Sequence, residues 1–207
     1  LNSLKNIAPG KWGFKLWFNI IVAFIPSAVI GLLVHKKIEE KLFTTFTVVL
    51  ALIIGGLLMI FMENKFRNRR NGIRNIENVN IGQALIIGCF QCLALWPGMS
   101  RSASTIMGAW LGGLSTVAAA EFSFFLAIPT MIAATGLSLI KGGVVISSTS
   151  EVVALAVGFL VSFIVAYLVI EKFMGFLKRR PMRIFAIYRI FIGIVLLILA
   201  FFKVVSI

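Results

Sequence analysis

Four apolar runs of nearly twenty residues, Leu16–Val34, Phe43–Met62, Val152–Ile170 and Ile184–Phe202, limit what this chain can fold into more than any other feature. A helix rising about 1.5 Å per residue crosses a hydrocarbon layer of about 30 Å with about 20 apolar residues. A fifth run, Phe122–Leu139, contains Pro129 and is expected to bend there. With 60% hydrophobic residues, 13% charged residues and a mean hydropathy of +1.04, a soluble domain of 207 residues could not cover its own core. The expected fold is all-α: a polytopic integral membrane protein with about five spanning helices. Residues 1–207 are expected to form one membrane domain.

The net charge of +13 does not reverse this reading. Lysines and arginines sit in short clusters between the runs, where they set topology. No basic patch with interleaved aromatics stands out, which excludes nucleic acid as a partner. The seven acidic residues are all glutamates, so an all-aspartate metal site is excluded as well. Cys89 and Cys92 have C-x-x-C spacing but lie in an apolar run, without the soluble βαβ setting of a redox pair; they read as small packing residues. His35, the only histidine, stands beside Lys36 and Lys37 at a helix end and reads as a surface residue. Residues 1–15 lack the basic start, apolar core and cleavage site of a secretory signal, and the chain begins at Leu1. Its natural beginning is therefore expected further upstream.

The segment Ile81–Leu114 behaves differently from the five runs. About 16 apolar residues lead to Pro97-Gly98 and a polar cluster, and about 10 more follow; neither half reaches the ~20 needed to cross. Basic residues decide how it sits. The connection at 63–80 holds Lys65, Arg67, Arg69, Arg70 and Arg74, and that at 171–183 holds Lys172, Lys178, Arg179, Arg180 and Arg183. Between them, 140–151 holds only Lys141. Both rich connections share a side only if Ile81–Leu114 dips in and returns, so a re-entrant helix–loop–helix is expected, with the rich side cytoplasmic. The connection at 35–42, with Lys36, Lys37 and Lys41, and residues 1–15, with Lys5, Lys11 and Lys15, do not discriminate.

At the tip stands WPGMSRSAST, residues 96–105, where Arg101 is surrounded by Ser100, Ser102, Ser104 and Thr105. Irregular backbone at membrane depth is tolerated only inside protein or along a wet cavity. An arginine at the bilayer centre costs about 2.5–3.5 kcal/mol on insertion scales. A phosphate would offset that cost, because its oxygens accept paired hydrogen bonds from a guanidinium. Gly98 lets backbone approach closely, and the second half-helix, expected to begin at Ser104–Thr105, adds free amides and a positive dipole end. A plainer reading stays open: hydroxyls that glue neighbouring helices, with Arg101 paired to Glu121 or Glu121 at the cytoplasmic interface. Gln91 faces either the cavity or a neighbouring helix, Trp96 anchors the loop, and Gly112-Gly113 ends the second half-helix.

QALIIGCFQCLALWPGMSRSAST, from Gln83 to Thr105, resembles the second signature of the undecaprenyl-diphosphate phosphatase (bacitracin-resistance) family. EFSFFLAIP at 121–129 and FAIYR at 185–189 extend the likeness along the chain. The resemblance implies an inverted-repeat membrane enzyme with two re-entrant elements, in the bacterial plasma membrane. It would hydrolyse undecaprenyl diphosphate to the monophosphate and so recycle the lipid carrier of cell-wall synthesis. In that family the serine, arginine and threonine of this signature bind the diphosphate, here Ser100, Arg101 and Thr105, and the arginine stabilises charge during phosphoryl transfer. A divalent metal, Mg or Ca, is also implied, as is a polyprenyl diphosphate in the bilayer; a second copy of the chain is a further candidate partner.

Two departures matter. The family's other signature, two glutamates four apart and then a Ser-Ser-Thr-Gly-His run, carries the nucleophile, the acid–base histidine and the metal carboxylates, and no such pattern stands in residues 1–207. The resemblance places it before Leu1, so these residues alone are expected to bind the diphosphate with little or no hydrolysis, whereas a longer gene product that includes them is expected to be active. Thr116 stands where the family often carries an arginine, which weakens any second cationic contact. An anion or lipid transporter is the competing class, because inverted repeats with broken helices also build transporters. A non-catalytic membrane partner is a third.

Overall fold

The computed structural model describes residues 12–66, 72–142 and 148–202. Arg67, Arg69 and Arg70, and Lys5 and Lys11, lie outside the described residues, as do the side chains of His35, Lys36 and Lys37 and of Lys178 and Arg179. The elements are α1 (Trp12–Leu42), α2 (Thr45–Phe66), α3 (Ile81–Gln91) continued by a 3-10 turn (Cys92–Leu95), α4 (Arg101–Leu111), α5 (Thr116–Gly142), α6 (Thr149–Arg179) and α7 (Arg183–Phe201). No strand occurs among the described residues; Ile73 and Leu114 make an isolated parallel bridge. Five helices are long and apolar enough to span a membrane: those over Gly13–Val34, Thr45–Phe66, Thr116–Gly142, Thr149–Leu177 and Arg183–Phe201. The protein is an all-α, multi-pass membrane protein.

Several helices outrun their apolar stretches. The charged segments 35–42 and 171–179, expected as connections, are the ends of α1 and α6. A helical backbone satisfies its own N–H and C=O groups, so leaving the apolar layer gives it no reason to stop. α1 is continuous through Pro26 and α5 through Pro129.

α4 rises about 16 Å over its 11 residues, and α3 with its 3-10 turn about 24 Å over Ile81–Leu95; neither reaches the ~30 Å a crossing requires. Their outer ends meet. Gln83 Nε2 donates to the Gly112 carbonyl at 2.8 Å, and Ile73 brackets the turn through its amide to Gly113 O at 3.0 Å and its carbonyl from the Ser115 amide at 2.8 Å. The hairpin therefore starts and ends on one face of the molecule. The two basic connections share a face too: the Met182 amide donates to Glu63 Oε1 at 2.7 Å, and Arg183 Nη2 to Asn64 Oδ1 at 3.0 Å. This is the arrangement the dip requires.

Asn80 nucleates the hairpin with a capping box, its side chain accepting from the Gln83 amide while Gln83 Oε1 accepts from the Asn80 amide. Small residues let the helices close around it. A Cβ at Gly88 would overlap the Ala23 carbonyl on α1, and one at Gly108 would lie 2.7 Å from Phe90 Cβ on α3. On the other side α2 and α7 form the most extensive pair, with Gly56 against Ala186 and Ile190, and Gly193 against Ile53. The core lies where α1, α3, α4 and α5 converge, around Ile20, Ile87, Met107, Trp110 and Phe122. α6 joins through its C-terminal end, where Leu177 is buried and Phe173 stacks edge-on against Phe124. Residues 151–170 of α6 are exposed throughout. Cys89 is exposed on α3, whereas Cys92 is half-buried with its Sγ donating to Gly88 O at 3.5 Å.

Candidate anion-binding site

The chain breaks at the hairpin tip because Pro97 removes a donor and Gly98 takes a positive φ of 95°. Space forbids anything larger than glycine there: a Cβ would sit 2.5 Å from Val48 O. Trp96 ties the tip to α2, its Nε1 donating to Thr47 O at 3.1 Å. Ser100 follows at φ 66°, ψ 114°, the one non-glycine residue with positive φ among the described residues. Strain of this kind, worth on the order of 1–3 kcal/mol, persists where the surroundings over-determine it and concentrates at functional sites.

That turn moves the helix start. α4 begins at Arg101, three residues before the expected Ser104–Thr105, because Ser100 acts as its N-cap and accepts from the Ala103 amide at 3.4 Å. Ser104 and Thr105 consequently lie inside the helix, 0% and 1% exposed. Ser104 Oγ donates to Ser100 O at 3.0 Å. Thr105 Oγ1 bonds Arg101 O at 3.0 Å and lies 2.7 Å from Ser123 Oγ on α5. Both hydroxyls are taken up in holding the turn and its neighbour. Ser100 and Ser102 are exposed and Arg101 is half-buried in the first turn, where the leading amides have no intrahelical acceptor and the dipole is positive.

Arg101 lines a groove of about 620 Å³, whose other polar lining residues are Ser27, Gln91 and Thr130. The groove's walls come from α1, the end of α3 and α5, and its apolar part runs past Phe24, Gly31, Leu95, Ala133, Leu137 and Ile140. Gln91 is 2% exposed; its Nε2 donates to Ser27 Oγ and reaches Thr130 Oγ1 at 3.5 Å, while its Oε1 is buried with no partner among the described residues. No carboxylate among the described residues pairs with Arg101. Glu121 precedes Thr130 on α5 by nine residues, about 13 Å of helix, and lies between the Trp110–Thr116 and Thr105–Ser123 contacts, towards the hairpin's other end.

A divalent cation requires several oxygen ligands, carboxylates among them. Around Arg101 stand hydroxyls, an amide and a guanidinium, and no group of three or more His, Cys, Asp or Glu side chains comes together among the described residues. These residues do not fit such an ion.

Arg189, on α7, was not singled out from the sequence as a site residue. It is 9% exposed, and its Nη2 donates to Gly98 O at 2.8 Å beneath the loop. The signal was present: one charge inside the otherwise uncharged run Ile184–Phe202. Ser27, Ser123 and Thr130, hydroxyls within spanning helices, were likewise passed over.

A helical hairpin with a cationic helix start, beside a largely apolar groove, places the site within a membrane protein. The chain belongs to the bacitracin resistance protein BacA family, which matches residues 1–195. It is similar to an undecaprenyl-diphosphatase of Clostridium tetani, 56% identical over 100% of this chain and 76% of the relative. A namesake from Clostridium novyi is 57% identical over 99% of this chain and 72% of the relative. One from Thermoanaerobacter pseudethanolicus is 55% identical over 99% and 75%.

Proposed function

We propose that this protein hydrolyses undecaprenyl diphosphate to undecaprenyl phosphate and inorganic phosphate in a bacterial plasma membrane, recycling the lipid carrier of cell-wall synthesis and conferring resistance to bacitracin. Family membership supports the reaction class. The observation that carries the site is Arg101: a half-buried guanidinium at a helix start that lines a largely apolar groove, with no carboxylate partner among the described residues.

The diphosphate lies against the first turn of α4. Arg101 grips it through two parallel N–H···O bonds, and the Ser100 and Ser102 hydroxyls and the leading amides add neutral donors. Gly98 keeps the backbone out of its way, and Ser104 and Thr105 brace the turn from within. The Gln91 carbonyl oxygen accepts from a protonated phosphate oxygen or a water. As the bridging P–O bond breaks, negative charge grows on the oxygens Arg101 already holds, and a fixed cation in a poorly hydrated groove stabilises it without reorganising. The prenyl chain follows the apolar wall along α1 and α5. We assign these residues to binding and charge stabilisation; the attacking group is not among them. The family's divalent metal, Mg or Ca, would be held by other residues, and Glu121 takes no part in the grip.

The test is phosphate release from a polyprenyl diphosphate by Arg101→Ala in the full-length protein, in membranes. The reading predicts a loss of about 10²- to 10³-fold, the usual cost of removing one preorganised charge-stabilising donor. Near-normal turnover would refute it. Reconstituted vesicles that move labelled lipid phosphate across the bilayer without cleaving it would point to a transporter instead.

A further inference from the structure

Arg101 meets the groove, but Arg189 meets the loop from behind. The groove's walls come from α1, α3 and α5, whereas Arg189 belongs to the α2–α7 pair and its guanidinium lies under the loop on that side. Nη2 donates to Gly98 O at 2.8 Å and to Ala51 O at 3.4 Å. Room for it comes from Gly55, where a Cβ would strike Nη2 and stand 2.7 Å from Met99 Sδ. Arg189 Nε and Nη1 are buried with no hydrogen-bond partner among the described residues.

A packing role does not explain this residue. A buried charge with unpaired donors stabilises a fold less than an apolar side chain of similar length, which needs no desolvation. The bonds Arg189 does make go to carbonyls, and one of them belongs to the glycine whose positive φ sets up the Ser100 turn. Carbonyls of irregular backbone at membrane depth lack helical partners, so a charge-assisted donor has large leverage there.

We infer that Arg189 is a positioning residue: by holding the Gly98 carbonyl it fixes the strained turn at Ser100, and with it the direction in which Arg101 enters the groove. It touches the loop and not the ligand. The inference rests on the proposed phosphatase reaction for its catalytic consequence, though not for the anchoring itself.

Three variants test it in the intact membrane protein: Arg189→Met, Arg189→Lys and Gly55→Ala, the last leaving the arginine in place while displacing its head. Two readouts are taken together, hydrogen exchange of the amides from Met99 to Ala103, and kcat and KM for phosphate release from a polyprenyl diphosphate. The expected result for Arg189→Met is faster exchange in the loop with α2 and α7 unchanged, and a kcat lower by about 100-fold, the scale of a misplacement near 1 Å. KM rises by a smaller factor than kcat falls, because Arg101 already grips the diphosphate in the ground state but holds it most strongly as charge grows in the transition state. Arg189→Lys recovers part of kcat, and Gly55→Ala reproduces the Met phenotype more weakly. If Arg189→Met does not insert, the other two decide. Unchanged loop exchange, or a kcat per folded molecule equal to wild type, overturns the inference. A full-length wild-type protein that releases no phosphate defeats the proposed function, and the exchange data still judge the anchoring.

Discussion

On the α2–α7 side of the tip loop, Arg189 gives its Nη2 to the carbonyls of Gly98 and Ala51. On the α1–α5 side, Arg101 opens on a groove and has no carboxylate partner among the described residues. The two guanidiniums flank five residues of irregular backbone inside the same apolar protein. An arginine in lipid is tolerated when something polar receives it. For Arg189 the receiver is already built in, as backbone carbonyls; for Arg101 it is the substrate we propose. A folded-in cation fixes shape, and an uncommitted one waits for an anion.

Three substitutions, beyond the loss of Arg101 itself, can break or sharpen that contrast. The largest effect is expected from Arg101→Lys, which keeps the charge but loses the planar fork: phosphate release falls about tenfold or more, between wild type and the alanine variant. Equal activity of the lysine and arginine proteins, measured as kcat/KM, would mean a point charge suffices and the paired geometry is irrelevant. Gly98→Ala acts on the shared backbone, forcing a Cβ to 2.5 Å from Val48 O at a φ of 95°. It should cost on the order of 1–3 kcal/mol in stability and reduce turnover with it, read as a lower thermal midpoint in detergent. Ser123→Ala removes the partner of Thr105, deep in protein on both sides; about 1 kcal/mol of stability should go, with KM unchanged. A raised KM would mean that Thr105 reaches the ligand directly and the division between bracing and gripping residues is drawn in the wrong place.

The spanning helices could be read from the sequence because burial in lipid needs long apolar runs, and length alone tells a crossing from a dip. The hairpin could be read for the same reason, with basic residues deciding its return. What escaped was local. The register of α4 depends on one serine adopting a left-handed backbone, which L-residues seldom take, so nothing at Ser100 distinguished a cap from a loop residue. With the helix starting three residues earlier, Ser104 and Thr105, read from the sequence as hydroxyls around Arg101, are buried inside it. Arg189 is a lone charge inside a span, so it adds nothing to the topology signal that basic residues carry in connections, yet a charge there calls for a polar partner within the protein. The sequence allows Gln91 to face either the cavity or a neighbouring helix, and it meets both: Nε2 on Ser27 of α1, and Oε1 without a partner among the described residues, on a side chain that lines the groove.

The most direct measurement is a structure of the protein with a polyprenyl diphosphate bound. The account predicts phosphate oxygens about 2.7–2.9 Å from the Arg101 guanidinium nitrogens, above the first turn of α4, with the prenyl chain along Leu137 and Ile140. A diphosphate seated elsewhere, with Arg101 turned to bridge two helices, would contradict it.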